Sequence, residues 1–320
     1  MAIYKLGSKG EEVRRIQQKL TELGLYQGPL DGDFGGGTNA AVIKFQKSKG
    51  LTGDGLVGQN TWSALFAEDI PKPDLFNQAL IRKCLALTGT FETGKAAPEC
   101  FCGLSGDFDG QGMSFGVLQW NFGQGSLQPL LHDMLTEHGP VMHEIFGPHF
   151  DAFQSALTST SKDELLEFVR SVQHPVNHKV YEPWAGYAKA LGRTAEFQEI
   201  QARHARQVYD RAIKMCQEYG LWSERAVALM FDICTQNGSI NAVTRQRIQG
   251  EFKSLDQSQP KEALEQHKLE IVANRRAEVC NPRWVDDVRS RKLCIARGGG
   301  NVHGIAFDLE GQFGIGLRPF

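Results

Sequence analysis

The sequence contains no long hydrophobic run. No apolar stretch in its 320 residues approaches the roughly 20 residues that a helix needs to cross a bilayer. The first residues, MAIYKLGSKGEEV, also lack the hydrophobic core of a secretory signal. We therefore expect a chain that is made in the cytoplasm, is not stably inserted in a membrane, and needs separate machinery to reach any target outside the cell.

An excess of basic residues is also absent. The 35 Lys and Arg residues are balanced by 37 Asp and Glu residues, which gives a net charge of −2. This balance excludes nucleic acid as the main partner, because a protein needs a basic face to neutralise phosphates. The mean hydropathy of −0.33 and the length are typical of a globular protein that can hold two domains.

Patterns for metal or phosphate binding are missing as well. The seven cysteines are scattered and odd in number, so we expect buried thiols that act as small hydrophobes. His143-Glu144 lacks the H-E-x-x-H spacing of a zinc site, and the calcium-like loop that starts at Asp107 has Leu118 where a Glu is required. Gly298–Gly300 has no following Lys-Ser/Thr. We predict no metal and no cofactor.

The chain divides by composition into a small domain at 1–68, a linker at 69–76 that contains Pro71-Lys72-Pro73, and a larger domain at 77–320. In the small domain, apolar spacing predicts three helices. The first ends near Gly24, the second has Thr38 as its N-cap, and the third begins near Gln59 to Thr61 and runs to Phe66. No internal repeat is apparent.

The larger domain is predicted to be mostly helical, with a short β-hairpin region in its glycine-rich part. Apolar residues at 80–87 predict a helix that stops around Thr88–Gly89. Further helices are predicted at 126–138, 161–173, 195–219, 223–236, 239–253, 259–278 and 282–293. The fold class is therefore mainly α: a three-helix domain followed by a larger α+β domain.

Three acidic residues mark the start of the larger domain. Glu92 follows the apolar helix, and Asp107 and Asp109 lie in a glycine-rich turn. Asp109 is 17 residues beyond Glu92. Two facing carboxyl groups are the minimum needed to cleave a glycosidic bond. A helix C-terminus and apolar neighbours such as Phe91 are expected to keep Glu92 protonated, whereas an open turn favours an ionised Asp109. Asp107 is the alternative second carboxylate.

Residues 5–66 resemble the peptidoglycan-binding domain of many cell-wall hydrolases. The matching elements are Leu6-Gly7, Gly10, Val13, Leu20, Gly24, Asp31 to Gly35, Thr38, Phe45-Gln46, Gly50-Leu51, Asp54-Gly55, Val57-Gly58 and Thr61-Trp62. The resemblance implies a shallow groove near the Asp31–Gly35 turn. Asp33 and Phe34 are the residues that it assigns to peptidoglycan.

The second domain resembles the lysozyme superfamily, in particular the branch of chitosanases and phage-type muramidases. Phe108 to Ser114, F-D-G-Q-G-M-S, stands where the chitosanases have G-D-G-R-G-Y-T, so Asp109 falls on the catalytic aspartate. Ser114 falls on the hydroxyl residue that helps to hold the water. Gln111 replaces the Arg of that motif, a departure from chitosan specificity.

Other residues are assigned to the sugar-binding cleft. Phe115 to Gln119 resembles the G-L-M-Q of lytic transglycosylases. The predicted substrate-binding residues are Asp107, Gln119, Asn121, Gln236 and Asn237, the last two at a predicted helix end. Arg289, Arg291 and Lys292 are expected either to bind a carboxylate of the cell wall or to lie on a solvated face.

Together, these resemblances imply a modular, endolysin-like muramidase. It would act as a monomer on peptidoglycan glycan strands and cut the β-1,4 bond between N-acetylmuramic acid and N-acetylglucosamine. Glu92 would be the general acid, and a holin or an injection system would release the protein to the wall. The alternatives are a lytic transglycosylase, a chitosanase, and a wall-binding protein without activity.

Overall fold

The computed structural model describes residues 4–8, 11–69, 74–108, 110 and 112–320. Its contacts divide the chain into one unit formed by Met1–Gln78 with Asp308–Gly314 and a second formed by Ala79–Phe307 with Ile315–Phe320. The predicted linker residues Pro71, Lys72 and Pro73 lie outside the described residues. The domain boundaries drawn from the sequence stay a prediction.

The first unit contains helices α1 (Glu11–Glu22), α2 (Gly36–Ser48) and α3 (Gln59–Phe66), with a short 3-10 helix at Asp74–Asn77 and a π-helix at Leu309–Phe313. Their apolar faces form a core that includes Val13, Ile16, Leu20, Phe34, Val42, Phe45, Val57 and Trp62. The predicted N-cap Thr38 is wrong. Gly35 precedes the helix, and Thr38 is buried in its first turn beside the side chain of Gln17.

A buried glutamine in each of the first two helices holds a glycine turn. Gln17 of α1 donates from Nε2 to Asp31 Oδ1 at 2.8 Å and to the Asp33 carbonyl at 2.9 Å. Its Oε1 accepts from the Gly32 N–H at 2.9 Å. Each polar atom of this fully buried amide is therefore satisfied by one short turn.

Gln46 of α2 repeats the arrangement with the next turn. Its Nε2 donates to Asp54 Oδ1 at 2.8 Å and to the Leu56 carbonyl at 2.9 Å, and its Oε1 accepts from the Gly55 N–H at 2.9 Å. The first unit thus contains the same arrangement of helix, buried glutamine and glycine turn twice. The sequence carries this repeat as the pattern D-G-x-x-G-x-x-T at 31–38 and 54–61, so the expectation of no internal repeat is wrong.

The second unit is built from eleven helices within the described residues. They are α4 (Leu80–Thr93), α5 (Gln128–Phe146), α6 (Phe150–Thr158), α7 (Lys162–Ser171), α8 (Trp184–Arg193), α9 (Ala195–His204), α10 (Arg206–Tyr219), α11 (Glu224–Asn237), α12 (Ala242–Ser254), α13 (Lys261–Glu278) and α14 (Val285–Arg297). Short 3-10 turns lie at Glu99–Cys102, Gly147–His149 and Pro282–Trp284.

Helix α4 runs further than the sequence predicts. It passes through Gly89, the predicted stop, and ends at Thr93 with Gly94 in the left-handed conformation. Gly89 is needed for close packing, because a Cβ there would lie 2.4 Å from Cγ2 of Val117. As a result, Glu92 belongs to the last turn of the helix.

Other helix boundaries also differ from the prediction. The predicted helix at 195–219 is divided at Ala205, where no Gly or Pro marks the break. Helices α6 and α8 were not predicted, and α5 continues to Phe146 past a non-helical His138, two residues before Pro140. A proline removes one helical hydrogen bond and distorts the turn before it.

Helix α11 is buried along most of its length. Every residue from Ala226 to Cys234 is buried, which is the pattern of a helix surrounded by others. It packs against α4, α10 and α14. Asp232 is the charged exception in this apolar run.

Short antiparallel strands complete the second unit. Strands β1 (Leu104–Ser105), β2 (Ser114–Phe115) and β3 (Trp120–Asn121) form one sheet, and β4 (Gly299–Val302) pairs with β5 (Ile305–Asp308). A mainly helical fold with a small three-helix part and a short β-hairpin region is confirmed. None of the helices in the described ranges combines the length and apolar character that crossing a bilayer requires.

We predict that Gln17→Leu destabilises the first unit by about 2–3 kcal/mol, because it leaves the buried Gly32 N–H without its acceptor. Hydrogen exchange of peptides from residues 11–66 should be accelerated. The exposed neighbour Gln18 provides the matched control, Gln18→Leu, which should exchange like the wild type. Equal exchange in the two variants would contradict the structural role of Gln17.

Candidate functional sites

Glu92 presents an exposed carboxyl group at the end of a buried helix. Its neighbour Phe91 is buried, but the Glu92 side chain is 44% exposed. Glu92 Oε1 accepts a hydrogen bond from Arg291 Nη1 at 2.6 Å. The expectation of an apolar, desolvated environment for Glu92 is therefore wrong, because the carboxyl group meets water and a guanidinium instead.

Arg291 belongs to a buried ionic cluster. Its Nη2 lies 2.5 Å from Oδ1 of the fully buried Asp232, and its Nε is 3.0 Å from the same oxygen. Lys292 contacts the other carboxylate oxygen of Asp232 and donates to Gln236 Oε1 at 2.7 Å. Thr88 of α4 donates to Asp232 Oδ1 at 3.3 Å. The cluster joins α4, α11 and α14.

Opposite charges decide the ionisation of this cluster. Burial alone would raise the pKa of Asp232, but attraction to Arg291 and Lys292 outweighs it and lowers that pKa to about 2. Burial lowers the pKa of Lys292 to about 8, although Asp232 opposes that effect. Asp232 is accordingly the buried counter-ion of both Arg291 and Lys292.

The expectation that Arg291 and Lys292 lie on a solvated face or bind a wall carboxylate is wrong, because both are buried. A signal for this was present in the sequence. Arg291 and Lys292 stand at helical spacing with the buried Val288 and Ile295. Charged residues on such a stripe need a buried counter-ion, and Asp232 inside an apolar helix was the candidate.

The three-stranded sheet aligns a row of polar residues. Ser105 pairs with Ser114, and Ser114 pairs with Asn121. Asn121 Nδ2 donates to Ser114 Oγ at 3.0 Å, and Ser105 Oγ donates to Gln119 Oε1 at 2.8 Å. The structure therefore brings together the predicted residues Ser114, Gln119 and Asn121.

Asn121 and Asp107 hold this region together from within. Asn121 is buried, with Nδ2 also donating to the Gly112 carbonyl at 3.2 Å. Asp107 is buried too, and its Oδ1 accepts from the Gly112 N–H at 2.7 Å while Oδ2 lies 3.3 Å from Arg170 Nε. Both side chains are buried and already hydrogen-bonded, so the prediction that they contact a sugar directly is wrong. They instead fix Gly112, which follows the candidate second carboxylate in the sequence.

The turn itself is only partly described. Asp109 and Gln111 lie outside the described residues, so the distance between the two candidate catalytic carboxyl groups stays a prediction. The neighbouring Gly110 and Gly112 both have positive φ angles, 76° and 80°. Left-handed backbone of this kind is what glycine supplies at little cost.

Gln236 and Asn237 end helix α11. Gln236 is linked to Glu92 through Lys292, Asp232 and Arg291 in turn. Asn237 Oδ1 is buried without a hydrogen-bond partner among the described residues. Their contact with substrate stays a prediction.

In the first unit, a groove of about 570 Å³ lies beside the Asp31–Gly35 turn. Its lining includes Tyr26, Pro29, Asp33, Thr38 and Lys44. Asp33 is exposed and lines this groove, and its contact with a ligand stays a prediction. Phe34 is only 1% exposed and belongs to the core, so its assignment to ligand binding is wrong. The alternation of exposed and buried residues in the turn explains the difference.

Metal ligands do not converge in the described part of the chain: no group of three or more His, Cys, Asp and Glu side chains is placed to hold an ion. Six of the seven cysteines are buried thiols, as the sequence predicts. A reaction without metal or cofactor stays a prediction.

Residues 9–65 match a family described as "Putative peptidoglycan binding domain". This confirms the resemblance seen in the sequence of the first unit. The same region is 44% identical over 59 residues to a spore cortex-lytic enzyme of Oceanobacillus iheyensis, covering 18% of this chain and 21% of that protein. An N-acetylmuramoyl-L-alanine amidase of Mycobacterium tuberculosis is 34% identical over 76 residues, covering 20% and 19%. The chain thus spans about a fifth of the length of these relatives.

Solved structures resemble more of the chain at lower identity. A chitosanase from Bacillus subtilis MY002 is 17% identical with a TM-score of 0.41, covering 69% of this chain and 87% of that one. A Burkholderia AP3 phage endolysin is 16% identical with a TM-score of 0.20, covering 64% and 99%.

We predict that Asp232→Asn destabilises the second unit by about 3–5 kcal/mol, because Lys292 would keep a buried charge without a counter-ion and Arg291 would keep only Glu92. Urea unfolding at neutral pH measures the loss. Since the pKa of Asp232 is lowered from 3.8 to about 2 by folding, its stabilisation is complete above about pH 4 and disappears towards pH 2. The difference from wild type should shrink over the same interval.

The control is Asp210→Asn, which removes an exposed carboxylate that pairs with Arg206 on α10. It should change the free energy of unfolding by less than about 0.5 kcal/mol. A similar loss in both variants would show that the ionic cluster has no special structural role.

Proposed function

We propose that this chain is a modular peptidoglycan hydrolase, in which the first unit binds the cell wall and the second cleaves its glycan strand. The match of residues 9–65 to a peptidoglycan-binding family supports the binding role, and the groove beside Asp33 offers a surface for it. The observation that carries the catalytic role is Glu92, an exposed carboxyl group at the end of a buried helix, held by a buried arginine.

The position of Glu92, at a helix end with one oxygen open to solvent, suits a general acid, although its contacts with water and Arg291 do not themselves supply the protonated form that the role needs. Arg291 binds Oε1, while Oε2 has no hydrogen-bond partner among the residues that the structure describes. A fixed carboxyl group with one open oxygen can approach a glycosidic oxygen and transfer a proton to it as the bond breaks. Arg291 is a positioning residue in this scheme, since it acts through Glu92.

We infer that the second carboxylate is Asp109, which the resemblance to the chitosanase motif assigns, rather than Asp107, whose carboxylate is engaged by Gly112 and Arg170. Ser114 supports it. Because Asn121 donates to Ser114 Oγ, the hydroxyl proton of Ser114 is available for a water molecule. Asp109 would accept a proton from that water, which then attacks the anomeric carbon. A separation of about 6.5–9.5 Å between the two carboxyl groups would give inversion.

The bond cleaved would be the β-1,4 link between N-acetylmuramic acid and N-acetylglucosamine, which makes the enzyme a muramidase. It would act on the wall after release from the cytoplasm through a holin or an injection system. The peptidoglycan-binding match favours such a substrate over chitosan, and so does Gln111 at the position of the chitosanase arginine.

A lytic transglycosylase is the second candidate. In that reaction Glu92 acts alone, and the substrate closes to a 1,6-anhydro sugar without water. The link of Gln119 to Ser105 is compatible with it, since Gln119 lies in the turn between β2 and β3, within the segment that resembles this class. The two reactions differ by one water molecule in the product.

We expect Glu92→Gln to lower the rate of release of glycan fragments from purified sacculi by at least about a hundredfold, because the amide cannot supply the proton. The melting temperature should stay close to wild type, since Glu92 is partly exposed. Glu144, an exposed residue in the last turn of α5, provides the control Glu144→Gln, which should retain full activity. Parental activity in Glu92→Gln would refute the assignment.

The product distinguishes the candidate reactions. We expect mass spectrometry of the digest to show reducing sugars that carry the added water, with N-acetylmuramic acid at the reducing end. Anhydro ends would instead establish the transglycosylase. A wild-type protein that binds sacculi and releases no fragment would leave only the wall-binding role.

A further inference from the structure

An exposed aromatic ring stands beside the candidate catalytic turn. Phe108 is 71% exposed, although its two chain neighbours are the buried Asp107 and the candidate base Asp109. An aromatic side chain leaves a large apolar surface in contact with water when it is exposed. No step of the proposed reaction uses this residue.

The backbone beneath Phe108 is fixed from several sides. Its N–H donates to the Gly106 carbonyl at 3.0 Å, and the Asp107 N–H donates to Gln173 Oε1 at 2.9 Å. Gly106 packs directly on a neighbouring loop, since a Cβ there would lie 1.8 Å from the carbonyl oxygen of His178. The exposed ring therefore projects from a rigid support.

That support includes a hairpin at 173–180. Gln173 and Val180 form its antiparallel bridge, and His174 Nδ1 accepts from the N–H groups of Val176 and Asn177 at 3.1 and 3.2 Å. The hairpin holds His178 in the left-handed conformation, with its ring centroid 5.3 Å from that of Phe108 at an interplanar angle of 64°. A rigid aromatic contact loses little conformational entropy when a ligand binds.

The position of Phe108 next to Asp109 indicates which ligand its ring would contact. Consecutive Cα atoms are about 3.8 Å apart, so a sugar ring that reaches Asp109 is also within reach of Phe108. Pyranose rings have an apolar face of C–H groups that can pack on an aromatic ring. Lys179 follows His178 and is exposed, whereas the exposed Arg170 is paired with the buried Asp107. A cationic strand such as chitosan is disfavoured there, whereas stem-peptide carboxylates are attracted.

We propose that Phe108 is a specificity-determining binding residue, whose ring packs against a sugar of the peptidoglycan strand next to the cleavage site. Lys179 favours an acidic strand over chitosan. This inference rests on the proposed hydrolase function and names the substrate class of the same site.

The test uses soluble, uncross-linked peptidoglycan strands and measures kcat and KM separately. Phe108→Ala should raise KM about tenfold and change kcat by less than about twofold, because the ring contributes binding shared by substrate and transition state. Phe108→Trp should restore KM. The control is Val243→Ala, which removes a side chain that is also exposed, 63%, on α12. Melting temperatures of all variants should match the wild type.

Charge is tested separately. Lys179→Glu should raise KM for the peptidoglycan strands about threefold at low salt, and the effect should fade as ionic strength increases. Added to the same assay as competitors, chitosan fragments should inhibit the Lys179→Glu variant at least as strongly as the wild type. If the wild type cleaves the strands and Phe108→Ala keeps the parental KM, this inference is wrong while the hydrolase remains. If the wild type cleaves nothing, the proposed function itself fails.

Discussion

The attraction between Asp232 and its two cations is the interaction on which the second unit depends. A buried carboxylate is tolerated only where opposite charges and hydrogen bonds replace the water that it has lost. Arg291 and Lys292 supply that replacement from α14, and Thr88 adds a bond from α4. The same arginine extends to Glu92, so the charge balance of the core also determines where the candidate proton donor stands.

Much of the helical framework was predictable, because amphipathic spacing survives in the sequence of each long helix. Helices α3, α11 and α13 lie close to their predicted ranges. The end of α4 was not predictable in this way. Gly89 weakens a helix by local propensity, yet here its missing side chain lets Val117 and Cys100 pack against α4, a long-range requirement that no local pattern displays.

The candidate site was also only partly predictable from the sequence. Resemblance located Glu92, Ser114, Gln119 and Asn121, and three of these are linked in one short sheet. It did not separate residues that face a ligand from residues that hold the motif in shape. Phe34, Asp107 and Asn121 are of the second kind, since all three are buried. A sequence motif includes both ligand-facing and structural residues, and only their burial in the structure distinguishes them.

The paired glutamines of the first unit determine which positions of their turns tolerate substitution. Each copy closes its own turn through the glutamine side chain, so the shape of a turn does not depend on most of the side chains that it displays. The turn at 31–35 borders the groove, whereas residues 54–58 do not contribute to its lining. Exposed positions of the turn at 31–35 can therefore be substituted, and the groove altered, while Gln17 keeps the turn in place.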